Sequence, residues 1–178
     1  MAVTLKQAEA VPGESPLPHL PLSHAASDLN RGAVWARIEA YTVHRWTPRA
    51  VVWTVEGPGD WVPPLAPATV ATVEVWTGTA WTEAFPAASP LGGYVLACEG
   101  PYRITAEVGG GDVPAAVQEA FRRLAEYMAE GAGRGGASSE KTSVGPVDIE
   151  VSRNPAWLAR AMQYSGAGDL LRPWREAV

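Results

Sequence analysis

The residues able to do chemistry are few and scattered. His19, His24 and His44 are the histidines of the chain, and Cys98 is its one cysteine. Zinc ligation or histidine catalysis needs partners at fixed spacing, and neither HExxH nor a Cys/His cluster is present. The histidines sit in a proline-rich stretch or near helix ends, where surface or capping roles suffice. A single cysteine leaves no intramolecular disulfide and no cysteine metal cluster. Ser23, Ser27, Ser138 and Ser139 lack the GxSxG context of a nucleophile elbow. Residues 135–142, GGASSEKT, have the look of a phosphate loop, but Glu140 stands where glycine must let the backbone approach phosphate. Gly109, Gly110 and Gly111 precede a helical pattern, yet Asp112 is placed to cap that helix, so a plain turn accounts for them. The residues imply no catalytic constellation, no cofactor and no metal, and hence a protein that is not an enzyme.

Charge and aromatic content are more informative. The net charge of −5 over 178 residues argues against a nucleic-acid-binding surface across the whole molecule. Residues 48–111 hold two basic side chains (Arg49, Arg103) against six acidic ones, without a pair spaced for acid–base work. Eight tryptophans are many for this length. They serve a core or, arrayed on an exposed sheet face, a surface gripping glycan or protein. The N-terminal segment has no apolar h-region and no apolar run approaches ~20 residues, so neither a secretory signal nor a transmembrane helix is expected. Those features describe a soluble cytoplasmic chain without a membrane partner.

The element with the clearest period is residues 113–130. Val113, Val117, Ala120, Phe121, Leu124 and Met128 recur at steps of three and four and share a face, with Glu119 placed to reach Arg123 and Arg122 to reach Glu126. Earlier, residues 1–21 carry four prolines after Val11 and read as a flexible, irregular arm. Ser23 is an N-cap for a short helical turn, and residues 33–43 form a second helix that ends before Pro48. The period then changes to two. Residues 50–55, 69–76, 94–97 and 102–108 read as strands, separated by glycine- and proline-bearing turns, with a hairpin at Gly78. Residues 131–145 are rich in Gly and Ser, and a free linker of about 15 residues spans roughly 20–25 Å. Val147, Ile149 and Val151 then alternate with polar residues as a short strand, and a last helix opens at Asn154-Pro155. The expected class is α+β, with helices near 22–45, 112–130 and 155–171 and an inserted antiparallel β block at about 48–109. Three parts follow: an arm at 1–21, a body at 22–145 containing the β block and linker, and a strand-plus-helix docking tail at 146–178.

Four runs together carry a family resemblance. They are AVWARIEAYTVHRW from Ala33, GPGDWVPPLAP from Gly57 followed by VEVW, YRITAEVGGGDVPAAVQEAFRRLAEYMAE from Tyr102, and EKTSVGPVDIEVSRNPAWLARAMQYSGAGDLLRPWR from Glu140. In this order they resemble the head–tail connector (adaptor) proteins of tailed bacteriophages, and more closely the adaptor of alphaproteobacterial gene transfer agents. The P-x-x-V-x-x-A step falls on Pro114, Val117 and Ala120, and the terminal Leu-Leu-x-x-aromatic-Arg pattern on Leu170, Leu171, Trp174 and Arg175. The tryptophan-rich β block is an elaboration on simpler, more helical connectors. The resemblance implies a helical connector core and a homo-oligomeric ring, commonly twelve-fold, assembled in the bacterial cytoplasm into the neck of a virion or gene transfer agent particle. It implies a portal protein above, a stopper, neck or tail protein below, and DNA passing through the channel without sequence-specific binding. An acidic wall suits sliding DNA. The contacts to portal or neighbouring subunit are expected from Val147, Ile149 and Val151 as an added strand, and from Trp157, Leu158, Met162, Leu170, Leu171, Trp174 and Arg175 filling pockets there.

Overall fold

The computed structural model describes residues 2–14, 16–17, 19–130, 139–144, 147–152 and 159–175, with 139–144 and 147–152 described by their backbone. Two compact units emerge. One comprises residues 1–16, 42–112 and 174–178, and the other residues 17–41 and 113–173.

The first unit is built on strands. β1 (Val3–Glu9), β2 (Arg49–Glu56), β3 (Gly59–Trp61), β4 (Ala68–Trp76), β5 (Trp81–Glu83), β6 (Ala87–Ala88), β7 (Tyr94–Leu96) and β8 (Tyr102–Val108) form two antiparallel sheets, ordered β1-β2-β8-β4-β5 and β3-β7-β6. Period-two alternation explains the larger sheet. Val51, Trp53 and Val55 of β2 stand opposite Ala106, Ile104 and Tyr102 of β8, and all six are buried. Val73 of β4 completes the row opposite Ile104. A bulge between Val70 and Thr72 re-aims β4, so that Glu74 and Trp76 take the outer face. Trp61, Leu65 and Leu96 close the same core from the smaller sheet and its connections. Gly109 ends β8 at φ +96°, where a Cβ would strike the Thr47 carbonyl at 2.5 Å, so the chain needs glycine there.

The second unit is organised by a helix. α3 (Ala115–Glu130) has Val117, Ala120, Phe121, Leu124, Ala125 and Ala129 buried. It packs against α1 (His24–Ser27), α2 (Arg31–Tyr41), α4 (Ala161–Tyr164) and α5 (Ala167–Leu170). A 3₁₀ turn at Arg172–Trp174 follows α5. The Ser23 hydroxyl caps α1 by accepting from the Ala26 N–H at 3.2 Å. With Ala26 where a capping box would carry Glu, Glu126 of α3 supplies the missing carboxylate. It accepts from the Ser23 N–H at 2.7 Å and from the Ser23 hydroxyl at 2.6 Å. These bonds hold the Glu126 carboxyl below its usual range. β9 (Ser139–Val144) and β10 (Val147–Ser152) pair antiparallel as a two-stranded ribbon.

The expected architecture, a helical connector core with an inserted β block, is overturned. The described residues are mostly β, and apart from α2 and α3 the described helices are short. The strands are no insertion, because the sheet begins at Val3 and takes in the segment expected to be an irregular arm. The physical reason lies in β1, whose inward side chains are polar. Thr4, Gln7 and Glu9 oppose Val55, Trp53 and Val51, while the apolar Val3 and Leu5 remain exposed. A bulge between Thr4 and Lys6 breaks the alternation that marks a half-buried strand. A second correction concerns 139–144, expected as linker, which forms β9. In α3, Asp112 lies three residues before the first helical residue, and the first-turn N–H groups of Val117 and Gln118 are received by the Pro114 carbonyl. Glu119 bonds both Arg122 and Arg123, whereas Glu126 turns to Ser23.

Candidate partner interface

The inner polar row of β1 makes two sets of hydrogen bonds in the first unit. The Trp61 indole N–H donates to the Thr4 hydroxyl at 2.9 Å, and the Trp53 indole N–H donates to Gln7 Oε1 at 2.9 Å. Gln7 Nε2 in turn donates to Glu9 Oε1 at 2.8 Å. Glu9 also accepts from Arg45 Nε at 3.0 Å and Arg49 Nε at 2.8 Å, and both arginine side chains are buried. Burial raises the Glu9 carboxyl, but the hydrogen bonds and charges of Arg45 and Arg49 outweigh it and hold the group below its usual range. β1 thus satisfies core donors that would otherwise be stranded. That is a structural task, and its outer edge carries no partner strand among the described residues.

The tryptophans divide by task. Trp35, Trp46, Trp53 and Trp61 are buried. Trp53 and Trp61 meet edge-on with centroids 5.4 Å apart. Trp46 has the His44 ring at 4.6 Å and the Trp174 ring at 6.1 Å. Trp76 and Trp81 pair across β4 and β5 at 5.4 Å on the outer face. There the Arg103 guanidinium covers Trp81 at 4.7 Å while bonding Glu74 at 2.6 and 2.8 Å. The described tryptophans therefore form no open row of the kind a glycan platform needs. Neither do the described residues gather three or more His, Cys, Asp or Glu side chains into a metal site. No described helix is long and apolar enough to cross a membrane.

The residues expected to dock are distributed as follows. Val147, Ile149 and Val151 lie on β10, while Trp157 and Leu158 lie outside the described residues. Met162 is half-buried on α4 and lines a cavity of about 570 Å³ with Tyr41, Arg160, Gln163, Gly168 and Asp169. Leu170 is half-buried, and Leu171 is fully buried within the chain. The Trp174 carbonyl accepts from the Val43 N–H at 3.0 Å, and its ring is half-buried beside Trp46. Arg175 is exposed. Met162, Leu170 and Leu171 belong to the second unit, and Trp174 and Arg175 to the first. Sequence reasoning missed the β1 edge because the strand itself was not recognised. The exposed Val3 and Leu5, alternating with Thr4 and Lys6, were the available signal.

No family model matches the chain, and no curated protein matches it. A solved structure does. One chain of an assembly described as "Virion of native gene transfer agent (GTA) particle" superposes with a TM-score of 0.53 at 20% identity, covering 100% of this chain and 96% of that one. At that identity the likeness is one of fold, and it extends over the whole length of the chain.

Proposed function

We propose that the protein is a structural component of a gene transfer agent or virion particle, and within it a head–tail adaptor. Copies assemble into a ring beneath the portal, extend the DNA channel and join the capsid to the neck or tail below. The observation that carries this reading is the end-to-end fold likeness to a chain of the gene transfer agent particle. The order of the short motifs from Ala33 to Arg175 supports it independently, and the acidic balance suits a wall along which DNA slides. β10 adds a strand to a neighbouring chain, while Trp157, Leu158, Met162, Leu170, Trp174 and Arg175 meet the portal or the next subunit. Leu171, buried in its own chain, is left out of that surface.

The test is capture of the full-length protein on the portal ring encoded by the same genome, with negative-stain imaging of the product. A chain cut after Gly145 is a poor control, because it strips α4 and α5 from α3. Trp157→Ala and Arg175→Glu in the whole chain are better, with Trp174→Ala checked for folding through its contact with Trp46. The expected result is a ring on the portal for the parent and loss of attachment for the variants. A folded parent that stays off the portal overturns the adaptor reading, and variants that still attach overturn the role of the tail.

A further inference from the structure

Beside the start of β1, the strand-built unit forms a cavity of about 420 Å³. Its walls are mostly apolar, from Ala2, Trp61, Val62 and Leu91, and its polar side chains are Asp60 and Thr4. Backbone bonds fix these groups in place. Asp60 precedes Trp61 in β3, and its carbonyl accepts from the Ala2 N–H at 3.1 Å, which ties the start of β1 to β3. The Asp60 carboxylate is oriented through Oδ1, which accepts from the hydroxyl of the buried Ser89 at 2.5 Å. That hydroxyl also accepts from the Leu91 N–H at 3.1 Å, and the Ser89 backbone bonds Gly92 and Gly93 to close the turn. Gly93, at φ +106°, passes so near Trp61 that a Cβ would strike the Trp61 carbonyl. The turn thus holds Leu91 beside the cavity with 68% of its surface bare.

The cavity has an acid without its base. Asp60 Oδ2 makes no hydrogen bond or ion pair among the described residues. The two basic residues of 48–111 are already engaged, Arg49 by Glu9 and Arg103 by Glu74. Glu56, exposed opposite Val3, adds a negative charge at the same end of the sheet. The Thr4 hydroxyl, which receives the Trp61 indole N–H, keeps an acceptor lone pair. Oxygen acceptors set in apolar walls suit a long basic side chain, whose methylene stem is buried while its head donates. A planar guanidinium can serve both acceptors, as a point-like ammonium does less well. A bare leucine held in a bonded turn suits a chain lying across it rather than a free amine.

We propose that this cavity receives an arginine side chain of a partner protein. Its guanidinium meets Asp60 and Thr4, and the partner's adjoining apolar residue packs on Leu91. The site stands independently of the ring reading above.

Acetyl-Leu-Arg-Leu-amide, titrated into the full chain and followed by the Trp61 indole N–H resonance, tests it. The resonance should move and saturate. Citrulline in place of the peptide's arginine keeps the shape without the charge and should weaken binding roughly tenfold. Asp60→Asn leaves an oxygen for Ser89 and should remove the difference between the two peptides. Leu91→Ala, at an exposed position, should weaken the arginine peptide roughly threefold and leave binding of methylguanidinium unchanged. Unchanged indole resonances of Trp46 and Trp53 verify that both variants fold. No shift of the Trp61 resonance, equal binding of the two peptides, or undiminished discrimination in Asp60→Asn overturns the site. Full peptide affinity in Leu91→Ala overturns the partner chain as the source of the cation.

Discussion

β1 in the first unit and α3 in the second place their polar side chains in opposite ways. In the strand-built unit, polar side chains work from inside. Thr4, Gln7 and Glu9 reach inward from an edge strand to the indole N–H groups of Trp61 and Trp53 and to the guanidinium groups of Arg45 and Arg49. In the unit around α3, the buried face of that helix is wholly apolar, although Glu39 of α2 is buried in the same unit, and the carboxylates of Glu119 and Glu126 make their bonds near solvent. The first arrangement makes each polar partner costly to lose, because the group left behind is away from water. The second places stability in packing, and its ion pairs contribute little. A strand with apolar residues outward and a polar inner row is held by specific bonds rather than by burial.

Substitutions can break this contrast, beginning with the largest. Trp53→Ala should cost about 3–5 kcal/mol in chemical denaturation, through the cavity and the loss of the Trp61 contact. Leu124→Ala, fully buried on α3, should cost about 2–5 kcal/mol by packing alone. Next comes a matched pair. Gln7→Leu removes the acceptor of the Trp53 N–H and should cost about 1–3 kcal/mol. Gln118→Leu removes a half-buried bond to the Val113 carbonyl and should cost about 0.5–1.5 kcal/mol. Equal losses for the two glutamines would remove the distinction drawn between the units.

Acid sharpens the same comparison. Both Glu9 and Glu119 have folded-state pKa values depressed below 4.5, so each stabilises the fold above its unfolded pKa and loses that contribution as pH falls through the folded value. For Glu119, held down to about 2 by hydrogen bonds from Arg122 and Arg123, the window runs from about 4.5 to about 2. Its partners are more than a third exposed, so Glu119→Ala should change stability at pH 7 by only about 0–1 kcal/mol. Glu9 lies between two buried arginines, so acid should release β1 while α3 remains helical. Amide exchange resolved by segment, followed from pH 6 to pH 3, checks the order. Protection lost first in α3 would contradict it.

Much of the local structure was legible because one period dominated each segment. The 3.6-residue pattern of 113–130 marks α3, the alternation of 102–108 marks β8, and Ser23 marks the start of α1. The strands were unequally legible. β10 stands out in the sequence as an alternating strand, whereas β1 does not. β1 was hidden for a reason intrinsic to sequence reading. Periodicity detects apolar residues facing inward, whereas β1 turns polar residues inward and is broken by a bulge. Losing that strand made the sheet look like an insertion within helices and inverted the architecture.

Residue order alone thus specifies which segments are helix or strand wherever one face is uniformly apolar, together with the acidic balance and the lack of a spaced catalytic motif. Tertiary structure decided the strand order β1-β2-β8-β4-β5, the division of the tryptophans between core and outer face, and the partners of Thr4, Gln7 and Glu9. Apolar burial is non-directional and leaves its mark on the local pattern. A hydrogen bond between Gln7 and Trp53 joins residues 46 positions apart, and it exists only once the fold has brought the donor to its acceptor.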